Sequence, residues 1–223
     1  MILETELSKE NIKELINHES PIILEIGCYD GRDSAELNKL FDNAVFGCFE
    51  ADRRSFVLFE KQNHPKNIVG IPTAIGKEDC EIDLYLSDSD SRRHQHNSES
   101  WSASSSIKKP KTHLDLFADV EFRDVEQVKC RSLDSFYIEN IKGETIDFIW
   151  VDINGAEEDF ILGAKSVLKY KTKYLYIEFS DKELYEGQIT KEGILRLLPE
   201  FELEGVYNFK GNFGNLLLRN KNL

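Results

Sequence analysis

Short, uninterrupted apolar runs restrict the fold of this 223-residue chain more than any other feature. The segments 22–26 ("IILEI") and 44–50 ("AVFGCFE") are nearly continuous in apolar residues, which is typical of strands buried on both faces of a parallel sheet. Helical patterns at 32–40 and 54–63 separate these runs from each other and from a third strand-like run at 67–75. The order β-α-β-α-β predicts parallel strands with right-handed crossovers, and therefore an α/β fold.

The same pattern returns in the second half of the chain. Strand-like runs at 146–153 and 173–180 flank a helix predicted over 156–169, whose apolar side chains share one face. A further helix over 190–198 ends before Pro199. These elements extend the parallel arrangement.

The C-terminal part predicts a different pairing. The runs 201–209 and 214–220 are separated by a glycine-rich turn, which is typical of an antiparallel hairpin. The prediction is therefore a mostly parallel sheet that closes with an antiparallel hairpin.

An insertion interrupts the parallel pattern. Residues 80–87 ("CEIDLYLS") alternate like a half-exposed strand, and residues 87–113 are rich in serine and charge. This composition predicts a long loop, and the sequence leaves open whether the loop is ordered. His94 and His96 lie in it, and we interpret them as solvated side chains rather than metal ligands.

The chain is predicted to form one domain over residues 1–223. Residues 1–20 form an N-terminal extension, with an amphipathic helix expected at 8–18, and 87–113 is the loop insertion.

Charge and cysteine usage narrow the class of protein. The formal net charge of -13 disfavours nucleic acid and anionic membranes as partners. The charged first 20 residues do not resemble a signal peptide, and no run of about 18 apolar residues predicts a membrane span. The four cysteines form no Cys-x-x-Cys pair. We expect a cytoplasmic protein, whose oligomeric state the sequence leaves undetermined.

Two glycines mark the junction between the first strand and the first crossover helix. Gly27 and Gly31 follow Glu25 in "EIGCYDG", and their spacing differs from the Gly-x-Gly-x-x-Gly fingerprint of dinucleotide-binding folds. The glycines indicate either a bound molecule that approaches the backbone or a tight turn.

Glu50 favours the first interpretation. It ends the second strand, 23 residues after Gly27, where an acid accepts hydrogen bonds from ribose hydroxyls in nucleotide-binding α/β folds. Glu25 and Asp30 flank the glycine turn and disfavour a phosphate. S-adenosylmethionine carries a sulfonium, an ammonium and a ribose without phosphate, and is therefore favoured over NAD or ATP.

A second constellation lies where two later strands end. Asp152 comes near the end of one strand, Asn154 and Gly155 follow in the turn, and Glu178 occupies the matching place on the next strand. Such carboxylates serve as a general base, as acceptors for substrate hydroxyls or as metal ligands. Helix capping and solvation of the strand ends are the structural alternatives, and no spacing demands a metal.

Several motifs together resemble a known family, the FkbM-type methyltransferases of the S-adenosylmethionine-dependent, Rossmann-like class I fold. The resemblance runs from about residue 20 to 219. The motifs, in chain order, are "EIGCYDGRDS", "CFEAD", "IPTAIG", "ASSSI", "RSLDSFYIENIKGETIDFIWVDINGAEEDFILGA", "YIEFS", "LYEGQ" and "GNLLLRN". Members commonly methylate hydroxyls on sugars or natural-product scaffolds.

The resemblance implies roles for individual residues. The cofactor-binding set comprises the glycine turn, the ribose-binding acid with its neighbour and the pair beside adenine: Glu25, Gly27, Cys28, Gly31, Glu50, Ala51, Thr73 and Ala74. Asp152 is the expected base, with Glu178 as second base or orienting group. Ser105, Asn154 and Glu157 are expected on the acceptor side.

This reading predicts O-methylation of a hydroxyl on a sugar, a glycan or another small molecule. A methyltransferase acting on nitrogen and a non-catalytic nucleoside-binding protein remain as alternatives. The serine-rich segment with Trp101 is the candidate acceptor lid, to be tested by deleting residues 90–103.

The chain departs from the family pattern at three places. The family usually has Lys at the position of Trp150 and often Glu or Gln at that of Asn154, and Cys28-Tyr29 replaces the common Ala-Asn. We expect Trp150 to pack under the sheet or to line an acceptor pocket.

Overall fold

The computed structural model describes residues 2–89 and 101–223. The strands are β1 (Ile22–Ile26), β2 (Val45–Phe49), β3 (Ile68–Ile71), β4 (Ala74–Ile75), β5 (Cys80–Ser89), β6 (Val120–Arg131), β7 (Ile146–Val151), β8 (Thr172–Ser180), β9 (Phe201–Lys210) and β10 (Phe213–Asn220). The helices are α1 (Lys9–Ile16), α2 (Arg32–Asn38), α3 (Arg53–Lys61), α4 (His113–Leu116), α5 (Leu133–Asn140), α6 (Glu157–Gly163), α7 (Lys165–Lys171) and α8 (Lys191–Leu197).

Within the described residues, the main sheet has seven strands in the order β3-β2-β1-β7-β8-β10-β9. Its first five strands pair in parallel, and β10 runs antiparallel to both β8 and β9. The chain proceeds outward from β1 in one direction and later continues from β7 in the other. Such a reversal of strand order leaves a crevice at the carboxyl ends of the strands, where α/β folds bind ligands. The predicted α/β fold with a C-terminal antiparallel hairpin is confirmed.

Helices cover both faces of the sheet, which explains the continuous apolar runs. Ile23 of β1 packs in a cluster with side chains of α1, α2 and α3, whereas Leu24 faces a second cluster formed with α5, α6, α7 and α8. Both residues are 2% exposed. Since successive strand residues point to opposite faces, a strand covered on both sides needs apolar residues at consecutive positions.

The N-terminal segment covers the outer edge of the hairpin. Ile2 forms a parallel bridge with Val206, and the Asn208 N–H donates to the Thr5 carbonyl at 2.8 Å. The chain then enters α1, whose N-cap Ser8 accepts a hydrogen bond from the Asn11 N–H. These contacts hold the predicted N-terminal extension against β9, the outer strand of the C-terminal hairpin.

Two predicted elements are each divided in the structure. The helix predicted over 156–169 is two helices, α6 and α7, which meet at Ala164. The strand predicted over 67–75 is β3 and β4, which belong to different sheets. Proline at position 72 donates no ladder hydrogen bond, which suits the break between them.

A second, three-stranded sheet has the order β4-β6-β5. The 12-residue strand β6 is absent from the sequence prediction, and it pairs antiparallel with β5. Residues 90–100, with His94 and His96, lie outside the described part of the chain. Among the described residues, no helix combines the length and the apolar character needed to cross a membrane.

Candidate active site

Two cavities open at the carboxyl edge of the main sheet and share Gly27, Tyr29 and Asp152. The β2-side cavity, of about 150 Å³, is lined by Ile26, Gly27, Tyr29, Phe49, Glu50, Ala51, Thr73, Ala74, Ile75, Leu84, Ser102, Ala103, Ser105, Ser106, Ile107, Asp152, Ile153, Asn154 and Ala156. The β8-side cavity, of about 340 Å³, is lined by Glu6, Glu25, Gly27, Cys28, Tyr29, Asp30, Arg32, Asp33, Trp150, Asp152, Glu178, Asn208 and Asn215. The strand reversal between β1 and β7 therefore coincides with the boundary between the cavities.

The two glycines of the β1–α2 turn are required by the protein's own packing. Gly27 has a φ of 87°, and a Cβ there would lie 1.8 Å from the Asp152 carbonyl oxygen. Gly31 has a φ of 73°, and a Cβ there would lie 2.5 Å from the Phe59 ring. A tight turn thus accounts for both glycines. Gly27 also lines both cavities, so the close approach of two strand ends forms their common wall.

Glu50 is fixed at the floor of the β2-side cavity by backbone donors. Its Oε2 accepts from the Tyr29 N–H and its Oε1 from the Asp52 N–H, both at 2.8 Å. Each carboxylate oxygen retains a lone pair for a further donor. Burial raises the pKa of Glu50 to about 7, although these backbone hydrogen bonds oppose the rise. The arrangement suits two adjacent hydroxyl groups of a ligand.

The remainder of this cavity combines apolar walls with the predicted Thr73-Ala74 pair. Ala74 and Ile75 are buried in β4, and the buried Phe49 also lines the cavity. The Thr73 hydroxyl donates to the Lys129 carbonyl at 2.9 Å. The walls suit a flat, weakly polar ring.

The described end of the serine-rich segment closes the β2-side cavity. The Ser105 hydroxyl donates to Asp52 Oδ2 at 2.7 Å and accepts from the Ser87 N–H at 3.0 Å. Arg54 donates to the same Asp52 carboxylate at 2.6 Å. Ser105 is therefore part of a network that fixes the segment to α3 and β5.

The turn after β7 holds the same segment from the other side. The Ser106 hydroxyl donates to the Asn154 carbonyl at 2.7 Å, and the Asn154 amide donates to the Ala103 carbonyl at 3.1 Å. Tyr185 donates from its hydroxyl to the Ser104 carbonyl at 2.8 Å. Ser105 and Asn154 thus line the β2-side cavity and are not brought to the cavity that contains Glu178.

Asp152 and Glu178 form a hydrogen-bonded carboxyl pair at the ends of β7 and β8. Asp152 is accessible through the cavities, yet the surrounding protein raises its pKa to about 6, and the hydrogen bond from Glu178 opposes this rise. Desolvation and the charge of Asp152 raise the pKa of Glu178 well above its ordinary value. Within this pair the proton therefore favours Glu178 and the negative charge favours Asp152.

Glu157 lies behind this pair and lines neither cavity. It is 1% exposed, its Oε1 accepts from the Gly155 N–H at 3.0 Å, and its Oε2 has no partner among the described residues. Burial raises its pKa to about 7. Its carboxyl group contacts the turn after β7 rather than an open acceptor space.

Glu25 and Cys28 lie at the base of the β8-side cavity. The Ser34 hydroxyl donates to the Glu25 carboxylate, and burial raises the Glu25 pKa well above its ordinary value. The Cys28 side chain is 3% exposed and packs in the core beside Cys48. The Cys28 thiol therefore belongs to the core and is not an open group of the cavity.

The β8-side cavity also contains Trp150, which the sequence analysis expected either under the sheet or in an acceptor pocket. Trp150 lines this cavity and packs edge-on against Tyr176, and the Lys9 ammonium lies 4.8 Å from the Trp150 ring centroid. Glu6, Asn208 and Asn215 complete the wall from the N-terminal segment and the hairpin. No local motif marks these positions, because the chain ends and the hairpin meet only in the folded molecule.

No group of three or more His, Cys, Asp and Glu side chains suitable for holding a metal ion occurs within residues 2–89 and 101–223. The carboxyl groups of Asp152 and Glu178 interact with each other at this edge of the sheet.

Comparison with known sequences gives two matches. The sequence model of the family described as "Methyltransferase FkbM domain" matches residues 25–209. The 2-O-methyltransferase NoeI of Sinorhizobium fredii (strain NBRC 101917 / NGR234) is 38% identical over 213 residues, which cover 95% of this chain and 84% of the relative.

Solved structures share the fold at low sequence identity. The methyltransferase FkbM of Methylobacillus flagellatus KT superposes with a TM-score of 0.54 at 13% identity over 95% of this chain, which spans 50% of that structure. The fibrillarin pre-rRNA processing protein of Methanococcus jannaschii gives a TM-score of 0.51 at 11% identity, covering 96% of this chain and 75% of that protein. Both likenesses concern the architecture alone.

Proposed function

Because the chain belongs to the FkbM family of methyltransferases, we propose that it transfers a methyl group from S-adenosylmethionine to a hydroxyl of a sugar, a glycan or a related small molecule. The relative named as a 2-O-methyltransferase supports oxygen, rather than nitrogen, as the methyl acceptor. The observation that carries the proposal is the position of Asp152 on the wall common to both cavities.

The β2-side cavity fits the adenosine part of the cofactor. Glu50 is held by two backbone N–H groups with acceptor capacity left over, which matches the two hydroxyls of a ribose. Thr73 and Ala74, with the apolar walls, suit adenine. The segment around Ser105 would then cover the nucleoside, so its proposed role moves from the acceptor to the cofactor.

The β8-side cavity fits a cationic group far better than a phosphate. Glu25, Asp30 and Asp33 line it on the side of the glycine turn. An ammonium and a sulfonium are attracted to such carboxylates, whereas a diphosphate is repelled. We therefore assign the methionine portion of the cofactor to the part of this cavity next to Gly27, and the acceptor to the part next to Glu178.

The bound cofactor supplies an electrophilic methyl group, and the chain's residues prepare the acceptor. A sugar hydroxyl is a weak nucleophile, so a base that takes its proton as the new bond forms accelerates the reaction. Asp152 is assigned as this base, since its carboxylate is ionised above about pH 6. Glu178 donates its hydrogen bond to Asp152 and so fixes the orientation of the base. Both reactants are assigned to the β8-side cavity, which Asp152 lines, so the cavity would hold them close together.

Binding and transfer test the proposal separately. Calorimetry should detect S-adenosylmethionine and its demethylated product, and Glu50→Ala should weaken both at least about tenfold, because the hydroxyl acceptor is lost. Ser166→Ala, at an exposed position on α7, is the control. Labelled methyl should then appear as an ether on a glycan panel. Absence of cofactor binding to the unmodified protein would overturn the proposal, and label found only on nitrogen would replace the acceptor class.

A further inference from the structure

The β9–β10 hairpin contributes two amide side chains to the acceptor part of the β8-side cavity. Asn208 comes from β9 and Asn215 from β10, and both are half-buried. Asn215 lies directly beside Glu178 in the pairing of β10 with β8. The hairpin therefore places two uncharged polar groups next to the carboxyl pair.

A β-bulge directs Asn208 toward the cavity. The pairs Asn215–Tyr207 and Phe213–Lys210 leave two residues of β9, Asn208 and Phe209, opposite Gly214 alone. Asn208 has a φ of 47°. This value lies in the left-handed region, which residues other than glycine and asparagine rarely adopt. Bulges of this kind re-aim side chains beside active sites.

The N-terminal segment holds this bulge in place. The backbone N–H of Asn208 donates to the Thr5 carbonyl at 2.8 Å, and that of Phe209 donates to the Leu3 carbonyl at 3.0 Å. In the same segment, Glu6 lines the cavity and Leu7 is fully buried. The exceptional backbone at Asn208 is thus fixed by its surroundings.

Both amide side chains are without a partner in the part of the chain that the structure describes. Among the described residues, the side chains of Asn208 and Asn215 make no hydrogen bond, whereas the carboxyl groups of Glu25 and Asp30 in the same cavity do. An amide offers both a donor and an acceptor, which is the combination that a hydroxyl group requires. Two free amides beside the proposed base suit the hydroxyls adjacent to the reacting one.

The charge of the same cavity restricts the acceptor further. Six carboxyl side chains and one guanidinium line it: Glu6, Glu25, Asp30, Asp33, Asp152 and Glu178, with Arg32. Arg32 pairs with Asp30 at 3.3 Å, and the nearby Lys9 pairs with Asp33. Since both cations already have carboxylate partners, an added anion would meet net negative charge.

We propose that Asn208 and Asn215 recognise the hydroxyls next to the methylated one, and that this wall selects an uncharged saccharide over one bearing phosphate, sulfate or carboxylate. This inference rests on the proposed function and adds the specificity residues and the charge class of the acceptor.

The first test compares matched acceptors on the unmodified protein. Transfer of labelled methyl is measured on neutral glycans and on the same glycans carrying a uronate or a sulfate. We expect kcat/KM at least about tenfold higher for the neutral members. Equal or faster methylation of the anionic members would overturn the inference while leaving the proposed function intact. Label on no hydroxyl would overturn the proposed function, and the inference with it.

The second test removes the amide without disturbing the backbone. Asn208→Gly keeps the left-handed conformation, and should raise the acceptor KM about three- to tenfold with the cofactor KM unchanged. Asn17→Gly, with a φ of 54° at the exposed end of α1, is the matched control. Asn215→Ala provides a second variant in a regular strand, with the same expected KM change. Unchanged acceptor KM in both site variants would overturn the assignment, as would equal changes in both KM values.

Discussion

At the scale of single residues, Asp152 has the most demanding position. It follows β7, its backbone carbonyl is the atom that excludes a Cβ from Gly27, and its carboxyl group is bound to Glu178. The backbone of this residue therefore builds the wall between the cavities, while its side chain carries the proposed chemistry. The two roles can be separated by a substitution that keeps the shape.

We predict that Asp152→Asn lowers kcat by about 100-fold or more, because a general base of this kind contributes roughly that factor. In the unmodified protein, kcat/KM should fall below about pH 6 as Asp152 takes up its proton. Rates and cofactor affinity are to be measured from pH 5 to pH 9, with cofactor affinity retained in the variant. Asp42→Asn, at an exposed position after α2, is the control. A variant that keeps full turnover would remove Asp152 from the mechanism.

Several site residues were predicted from sequence because strand ends are recognisable. Glu50, Asp152 and Glu178 each follow or end an apolar run, and the carboxyl ends of parallel strands meet at one edge. Asn208 was not predicted, because its left-handed conformation arises from a bulge that depends on pairing with the N-terminal segment. Lys9 was missed for a similar reason, since its contact with Trp150 joins residues distant in sequence.

At the scale of elements, the β1–α2 turn depends on the absence of a side chain more than on a ligand. Gly27 needs both its positive φ and the empty space in front of the Asp152 carbonyl. Gly143 has a φ of 99° and no atom within 4 Å of a Cβ built on it. Substitutions at these two glycines therefore distinguish the cost of backbone strain from the cost of a steric clash.

Gly143→Ala should lower the free energy of unfolding by about 1–2 kcal/mol, which is the cost of placing an L-residue in the left-handed region. Gly27→Ala should cost clearly more and should also abolish cofactor binding, because the turn must move away from β7 to relieve the clash. Urea unfolding and calorimetry with the demethylated cofactor measure the two effects. Equal losses in the two variants would show that the contact with Asp152 is unimportant.

Elements with both faces covered were predicted well, and elements with little burial were not. The runs that became β1, β2 and β7 are continuous because helices pack on both sides. Most side chains in β6 are exposed or half-buried, and a register shift where it meets β5 at Leu86 and Ser87 disturbs the alternation. The helix predicted over 156–169 is interrupted at Ala164, a good helix former, so no residue preference marks that break.

At the scale of the whole molecule, acids with raised pKa values gather at one edge of the sheet. Burial raises the pKa of Glu25, Glu50, Asp152, Glu157 and Glu178. A group whose pKa is higher in the folded than in the unfolded chain stabilises the fold at low pH and loses that contribution as pH rises through the folded value. The site therefore favours function over stability at neutral pH.

Glu157 allows this cost to be measured. Its pKa rises from 4.5 to about 7 on folding. This shift lowers the free energy of unfolding by about 3 kcal/mol between pH 4 and pH 8. The stability of Glu157→Gln relative to the unmodified protein should therefore increase by about that amount over this range. Urea unfolding at several pH values measures the difference, with Glu158→Gln on the same helix turn as control. A difference that does not change with pH would contradict the assignment.

The reversal of strand direction at β10 separates the tasks of the two halves of the sheet. Parallel strands carry the groups proposed to grip the nucleoside, whereas the antiparallel hairpin and the segment paired with it carry Asn208 and Asn215. Exchanging residues 201–220 together with the N-terminal segment between related enzymes should therefore transfer the acceptor preference. The cofactor-binding residues lie on strands that the exchange leaves in place, so cofactor affinity should not change.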